Sequence, residues 1–310
     1  VTADLSMQLD PGTLLGAGVG LLSAALYAVS VVMYRSQKKG MRTLQISAVR
    51  MWISVPVTGL LLLTPLGSGS LFVSQEVLFF LLLSAIAGST LGDTLYLLSQ
   101  ARIGVSYAFP IAMSYPILTY LLTYVFLGDD WTLLSFVGAI MAVAGVIVLT
   151  NQQPVDEGDA AKQRHVDVIG VSMAVLCVVF YAVGITALEL GFNAATDLNP
   201  VTANFIRLLI GSVILVPIFL FDLKTGRPRP TKHSIYVASA AGVIGMALSS
   251  LLYVAAVKMV GAAMTSVFET SAPLFAVPLA IRFLKEKLTL VGAAAIIITI
   301  LGVTLVILGR

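Results

Sequence analysis

One cysteine stands in 310 residues, Cys177, and it lies in an apolar run. A disulfide within the chain is excluded, and so is a cysteine cluster for a metal. Charge is scarce as well. Only 11% of residues are Asp, Glu, Lys or Arg, against about 25% in a soluble domain. The two histidines, His165 and His233, sit at loop edges and read as surface residues. No HExxH, P-loop, G-x-G-x-x-G after a strand or G-x-S-x-G occurs. The chain therefore reads as neither an enzyme nor an ATP-driven pump, with no cofactor and no metal. The net charge of +3 is carried in loops beside apolar spans, so it is not a nucleic-acid signal.

What is present is hydrocarbon. Apolar residues make up 58% of the chain. Runs near 20 residues recur along its length, the span a helix needs to cross about 30 Å of bilayer core. The pattern predicts ten spans, roughly at 13–34, 44–64, 77–100, 104–127, 131–150, 167–192, 200–222, 233–258, 261–284 and 288–308. Helices are expected, because in lipid each backbone N–H and C=O must bond within its own segment unless a barrel closes. The first run lacks a basic flank and a cleavage site, so it reads as a span and not a removed signal peptide.

The chain repeats itself. Gly104, Pro116, Leu127-Gly128-Asp129-Asp130-Trp131-Thr132 and Gly145-Val146 return 157 positions later. The later copy is Gly261, Pro273, Leu284-Lys285-Glu286-Lys287-Leu288-Thr289 and Gly302-Val303. Arg50 matches Arg207, and Tyr96 matches Tyr253, at the same offset. Tyr27 matches Tyr181 at an offset of 154. The expected units are 1–150, a polar linker 151–166, and 167–310. Five helices per unit is an odd number, so the second unit enters the membrane from the opposite side. That is an inverted repeat, common in secondary transporters. Of the 18 Lys and Arg, Arg50 and Arg207 lie within spans, and Lys258 and Arg310 fall on the side of the termini. The other fourteen lie on the opposite side, which the positive-inside rule makes cytoplasmic.

Ionisable groups inside spans are costly and functional by default. Four stand out: Arg50, Asp93, Arg207 and Glu269. A rise of 1.5 Å per residue puts Arg50 and Asp93 at similar depth, and Arg207 and Glu269 about 10–12 Å from the other face. One Arg–carboxylate pair near each side is expected, holding or gating the ends of a central path. Snorkelling to the interface is the plainer reading for the arginines. Asp93 and Glu269 are candidates for substrate or proton binding. So are Tyr27, Tyr96, Gln100, Tyr181 and Tyr253, whose polar groups need partners away from water. Tyr34, Tyr124 and Trp131 fit an interfacial belt instead. Pro116 and Pro273 are expected to kink their helices, with Ser114, Thr270 and Ser271 near the freed carbonyls. Asp129-Asp130 and Glu286 precede helices and are expected to face their positive N-termini.

Pro273, the Leu284–Thr289 turn, Gly292 and Gly302-Val303 resemble the last two helices of an EamA repeat, of the drug/metabolite transporter superfamily. Pro116 to Val146 resembles the same unit, with Asp129 where Glu is usual. The resemblance implies a ten-helix plasma-membrane transporter with a cavity lined by helices 1, 3, 4, 6, 8 and 9, and with helices 5 and 10 peripheral. The family is usually drawn with both termini in the cytoplasm, opposite to the charge count. The function expected is secondary transport of small organic metabolites by alternating access, as export or exchange. A flippase for a lipid or lipid-linked sugar is the alternative. A small-molecule substrate and membrane lipids are the expected partners, and the chain is a monomer or homodimer.

Overall fold

The computed structural model describes residues 10–35, 43–67, 71–103, 105–130, 132–151, 167–224, 231–275 and 290–309. The linker at 152–166, the turn Leu284–Thr289, Gly104, Trp131 and Pro278 lie outside them. Among the described residues all regular structure is helical. The first half contributes α1 (Pro11–Arg35), α2 (Thr43–Leu61), α3 (Gln75–Ser84), α4 (Asp93–Ile103), α5 (Val105–Ala112), α6 (Tyr115–Leu127) and α7 (Leu133–Asn151). The second contributes α8 (Val168–Ala194), α9 (Pro200–Lys224), α10 (Lys232–Gly242), α11 (Ser250–Thr270) and α12 (Leu290–Leu308). Among the described residues six helical stretches are long and apolar enough to cross a membrane, as in an integral membrane protein.

Several spans are not the plain helices that hydropathy predicts. A π-helical segment, Ala85–Gly92, joins α3 to α4, and another, Val243–Ser249, joins α10 to α11. Adding 157 to the first gives 242–249, so the two wide turns stand at corresponding positions. In each, a backbone N–H reaches five residues back: Asp93 to the Gly88 carbonyl and Ser250 to that of Gly245. Apolar periodicity does not register one extra residue per turn, which is why the sequence reads straight through both.

The helix continuing past Ser250 breaks at Gly261, with φ 81° and ψ 170°. That conformation is essentially open to glycine alone. The break falls where the ninth span was expected to begin. The fourth span breaks at Met113-Ser114, ahead of Pro116, which takes the first turn of α6. A missing N–H is harmless there. The corresponding turn at Ser271 precedes Pro273. The prolines thus restart helices instead of bending continuous ones. The Ser114 hydroxyl donates to the Ile111 carbonyl at 2.7 Å and that of Ser271 to Phe268 at 2.5 Å.

Packing crosses between the halves. α1 runs against α10, the second π segment and α11, while α8 runs against α3, the first π segment and α4. Lipid tails are as apolar as leucine, so close backbone approach holds such helices together. Gly16 faces Met259 and Val260, and Gly20 faces Phe268. Gly184 lies on the backbone of Gly88, where a Cβ would stand 2.6 Å from the Gly88 nitrogen. Gly138 and Gly145 of α7 meet α12 at Gly302 and Thr299. At the far end of α8 the Arg102 guanidinium donates to Asp167 at 2.7 Å and holds that carboxyl below the ordinary range. The stabilisation is complete above the ordinary carboxylate range and is lost as pH falls through the lowered value.

A Cβ on Gly302 would stand 2.6 Å from the Gly138 carbonyl oxygen and 2.9 Å from the Ala142 Cα. Gly302→Val is therefore expected to destabilise the protein by about 1–3 kcal/mol through overpacking. Gly18 lies within α1 with open space around it, so Gly18→Ala is expected to raise stability by about 0.5–1 kcal/mol. Unfolding midpoints in detergent check both.

Candidate functional site

A cavity of about 160 Å³ lies where α1, α8, α9, α11 and both π segments converge. Its position follows from the wide turns. A π turn leaves carbonyls off the regular ladder, and side-chain hydroxyls take them, at the second turn from the opposite half. The Ser30 hydroxyl of α1 donates to the Ala241 carbonyl at 2.8 Å, and that of Ser54 to Gly242 at 3.0 Å. Ser23 and Ser249 exchange hydroxyl-to-carbonyl bonds at 2.9 and 3.0 Å. Within the first π segment, Thr90 donates to the Ala85 carbonyl at 3.1 Å.

Charge gathers at these turns. Asp93 begins α4 directly after the first π segment and accepts the Tyr181 hydroxyl at 2.7 Å. Ser250, its counterpart 157 positions on, is neutral and donates to Asn204 at 2.7 Å. Arg207 of α9 lines the cavity, reaches Ser89 at 3.5 Å and lies over the Tyr253 ring at 5.6 Å. Arg50 of α2 is buried outside the cavity wall, bonded to Ser30 at 3.5 Å and set against Gly245. Each arginine thus rests on the π segment of the other half. Both act electrostatically on Asp93. Glu269 lines the cavity near Ser23, and its Oε1 has no hydrogen-bond partner among the described residues.

Of the residues singled out from the sequence, Tyr27, Asp93, Tyr181, Arg207, Tyr253 and Glu269 share this cavity. Tyr96 and Gln100 do not line it. Tyr96 packs edge-on against Phe109, in a cluster with Cys177, Ala108 and Ala112. Among the described residues no ion pair joins Arg207 to Glu269 or Arg50 to Asp93. Depth along ideal helices had matched those partners, but depth carries no azimuth, and a π turn rotates everything after it. The Thr132 hydroxyl caps α7, accepting the Ser135 N–H at 3.2 Å. Asp129 and Asp130, just ahead of it, line a second cavity of about 150 Å³ with Glu189 and Gly261.

Glu189, near the end of the sixth span, was not among the ionisable groups singled out from the sequence. Its carboxylate accepts the Ala262 N–H at 2.7 Å and so caps the helix that restarts after Gly261. Ser89 and Met246 of the two π segments, with Phe109 and Met113, also line the central cavity without having been singled out. The glycines Gly88 and Gly245, at the 157 offset, were the available signal.

A model of the EamA-like transporter family matches the chain twice, over residues 14–151 and 168–308. The chain belongs to the EamA-like transporter family. It is thus a multi-pass membrane transporter of the drug/metabolite transporter superfamily. Among relatives, an uncharacterized transporter of Archaeoglobus fulgidus is 25% identical over 237 residues, covering 76% of this chain and 78% of the relative. Another uncharacterized transporter, of Clostridium kluyveri, is 26% identical over 138 residues, 44% of each chain. A solved structure described only as "Crystal structure of protein" superposes with a TM-score of 0.72 at 18% identity, over 94% of this EamA chain and 97% of that one. That likeness concerns the fold.

Tyr181 supplies the one hydrogen bond to the Asp93 carboxylate among the described residues. Tyr181→Phe is expected to lower stability by about 1.5–3 kcal/mol, the range for a hydrogen bond to a charged group. Asp93→Asn in the same background should recover much of the loss. Unfolding of the single and double variants in detergent measures it.

Proposed function

We propose that this EamA chain is a secondary transporter that moves small organic metabolites by alternating access, in export or exchange, across the plasma membrane. The observation that carries the reading is the central cavity, lined by Arg207, Asp93 and Glu269. Charges so placed within a membrane mark a substrate or ion path. No ATP-binding motif accompanies them, so an ion or solute gradient is the driving force.

We read the ten spans as two inverted five-helix repeats, 1–150 and 167–310, joined by 151–166. The twofold family match and the corresponding π segments support this arrangement. Rocking one half against the other about the π segments would expose the cavity to each side in turn. On the side toward Glu189 and Gly261, Leu81, Leu188, Phe192, Leu198, Val257 and Ala262 pack into one apolar cluster. That cluster is the closed gate of the state described here. Along α8 and α11, Glu189 and Gly261 are about 12 Å from Tyr181 and Glu269, so the gate is some two helical turns thick. Arg50 and Arg207 hold the π segments while it is shut. Tyr27, Tyr181 and Tyr253 contact the solute, and Glu269 binds solute or a proton. The solute and surrounding lipid are the partners, and the unit is a monomer or homodimer.

The test is flux in liposomes, with a solute first found by thermal-shift screening of metabolites on purified protein. Saturable uptake, stimulated by unlabelled solute on the far side, is expected. Non-saturating flux indicates a channel, and movement of labelled lipid without solute flux indicates the flippase. Glu269→Gln is expected to lower flux about tenfold or more where the wild type is most active. It should also flatten the pH profile. Unchanged flux across the pH series removes Glu269 from the mechanism.

A further inference from the structure

The two arginines occupy the same place in their halves, yet only Arg207 faces the central cavity. Arg207 is also poorly satisfied for a buried cation. The residue is 5% exposed. Among the described residues its one hydrogen bond, to Ser89, is 3.5 Å long, at the far edge of the useful range. Its Nε has no acceptor among the described residues, and no described carboxylate lies within ion-pair distance. Asp93 acts on it only from farther away and already holds the Tyr181 hydroxyl. The Tyr253 face contributes a cation–π contact at 5.6 Å. A buried charge left in this state is costly unless something completes its shell.

We infer that Arg207 is the subsite for an anionic group of the transported solute, specifically a carboxylate. The inference rests on reading this cavity as the solute site. Nε itself is enclosed, so the terminal Nη groups are the donors the guanidinium offers the cavity, and a carboxylate's two oxygens accept from that fork. A metal cation is repelled at this point, and an ammonium group offers no acceptor. Asp93 and Glu269 line the same cavity and repel an anion, which leaves Arg207 the place where the carboxylate settles. The remaining lining is mainly aromatic and apolar, with Tyr253, Tyr27, Phe109 and Met113, and three serines among it. A cavity of about 150 Å³ holds a benzene ring, and this one is about 160 Å³. The solute is therefore a carboxylate on a body of roughly ring size.

Three probes of one shape and different charge test this by calorimetric titration of the purified protein: benzoate, benzamide and benzamidine. Benzoate is expected to bind roughly tenfold or more tighter than either of the others. Arg207→Gln should abolish that preference, and Arg207→Lys should keep part of it, since the charge remains and the fork is lost. The order among the three probes on the wild type needs no variant, so a misfolded Arg207→Gln leaves the test intact. Benzamidine binding as tightly as benzoate, absence of benzoate binding, or benzoate affinity unchanged in folded Arg207→Gln overturns the subsite. The titration uses no gradient and reads no flux. Its failure removes the carboxylate assignment and leaves the transport reading standing, whereas absence of saturable flux removes the transport reading itself.

Discussion

In hydrocarbon a backbone carbonyl without a donor is expensive, and this fold places two π turns deep in its bundle. At the second turn the donors come from the first half, and that is the constraint on which the rest depends; at the first turn Thr90 of the same segment takes the Ala85 carbonyl. Ser30 and Ser54 donate to the carbonyls of Ala241 and Gly242, and Ser23 is locked to Ser249. Gly184 presses on the backbone of Gly88 at the other turn. The polar groups of the second half's third span are thus completed by the first half. The cavity exists because the two turns meet there with small residues, leaving room that straight helices bearing larger side chains would fill.

The charges build on that frame. An arginine from each half rests on the opposite turn, so the turns and the guanidinium groups form a crossed pair. The pair is symmetric in position and unequal in surroundings. Asp93 stands where the second half has Ser250, and Glu269 where the first half has Ala112. One arginine is enclosed beside Gly245 while the other looks into the cavity. A duplicated scaffold with unequal side chains can bind one asymmetric solute at its axis, which a strictly symmetric one would bind in two equivalent orientations.

Much of this was legible in the sequence because hydrocarbon imposes simple rules. Apolar run length located the spans, and the offset of 157 related Pro116 to Pro273 and Gly145 to Gly302. Cost in lipid singled out Asp93, Arg207 and Glu269, which meet in one cavity. Azimuth was not legible. Tyr96 and Gln100 follow Asp93 at helical spacing, yet Tyr96 turns to Phe109. The π turns were hidden because they change the winding of a helix and not its hydropathy. Glu189 was hidden for another reason. Its partner is the backbone N–H of Ala262, and a backbone donor leaves no mark in a pattern of side chains.

Alternating access about the paired turns is tested most directly by spin-label distances at the two ends of the bundle. One label pair replaces Asp130 and Asp197, beside the apolar gate, and the other replaces Ile169 and His233 at the opposite end. All four positions are exposed, and the native Cys177 is buried and unreactive. With solute present, the expected result is two populations in which one end lengthens as the other shortens. Distances that stay fixed at both ends, or that lengthen together, would contradict a rocking transporter.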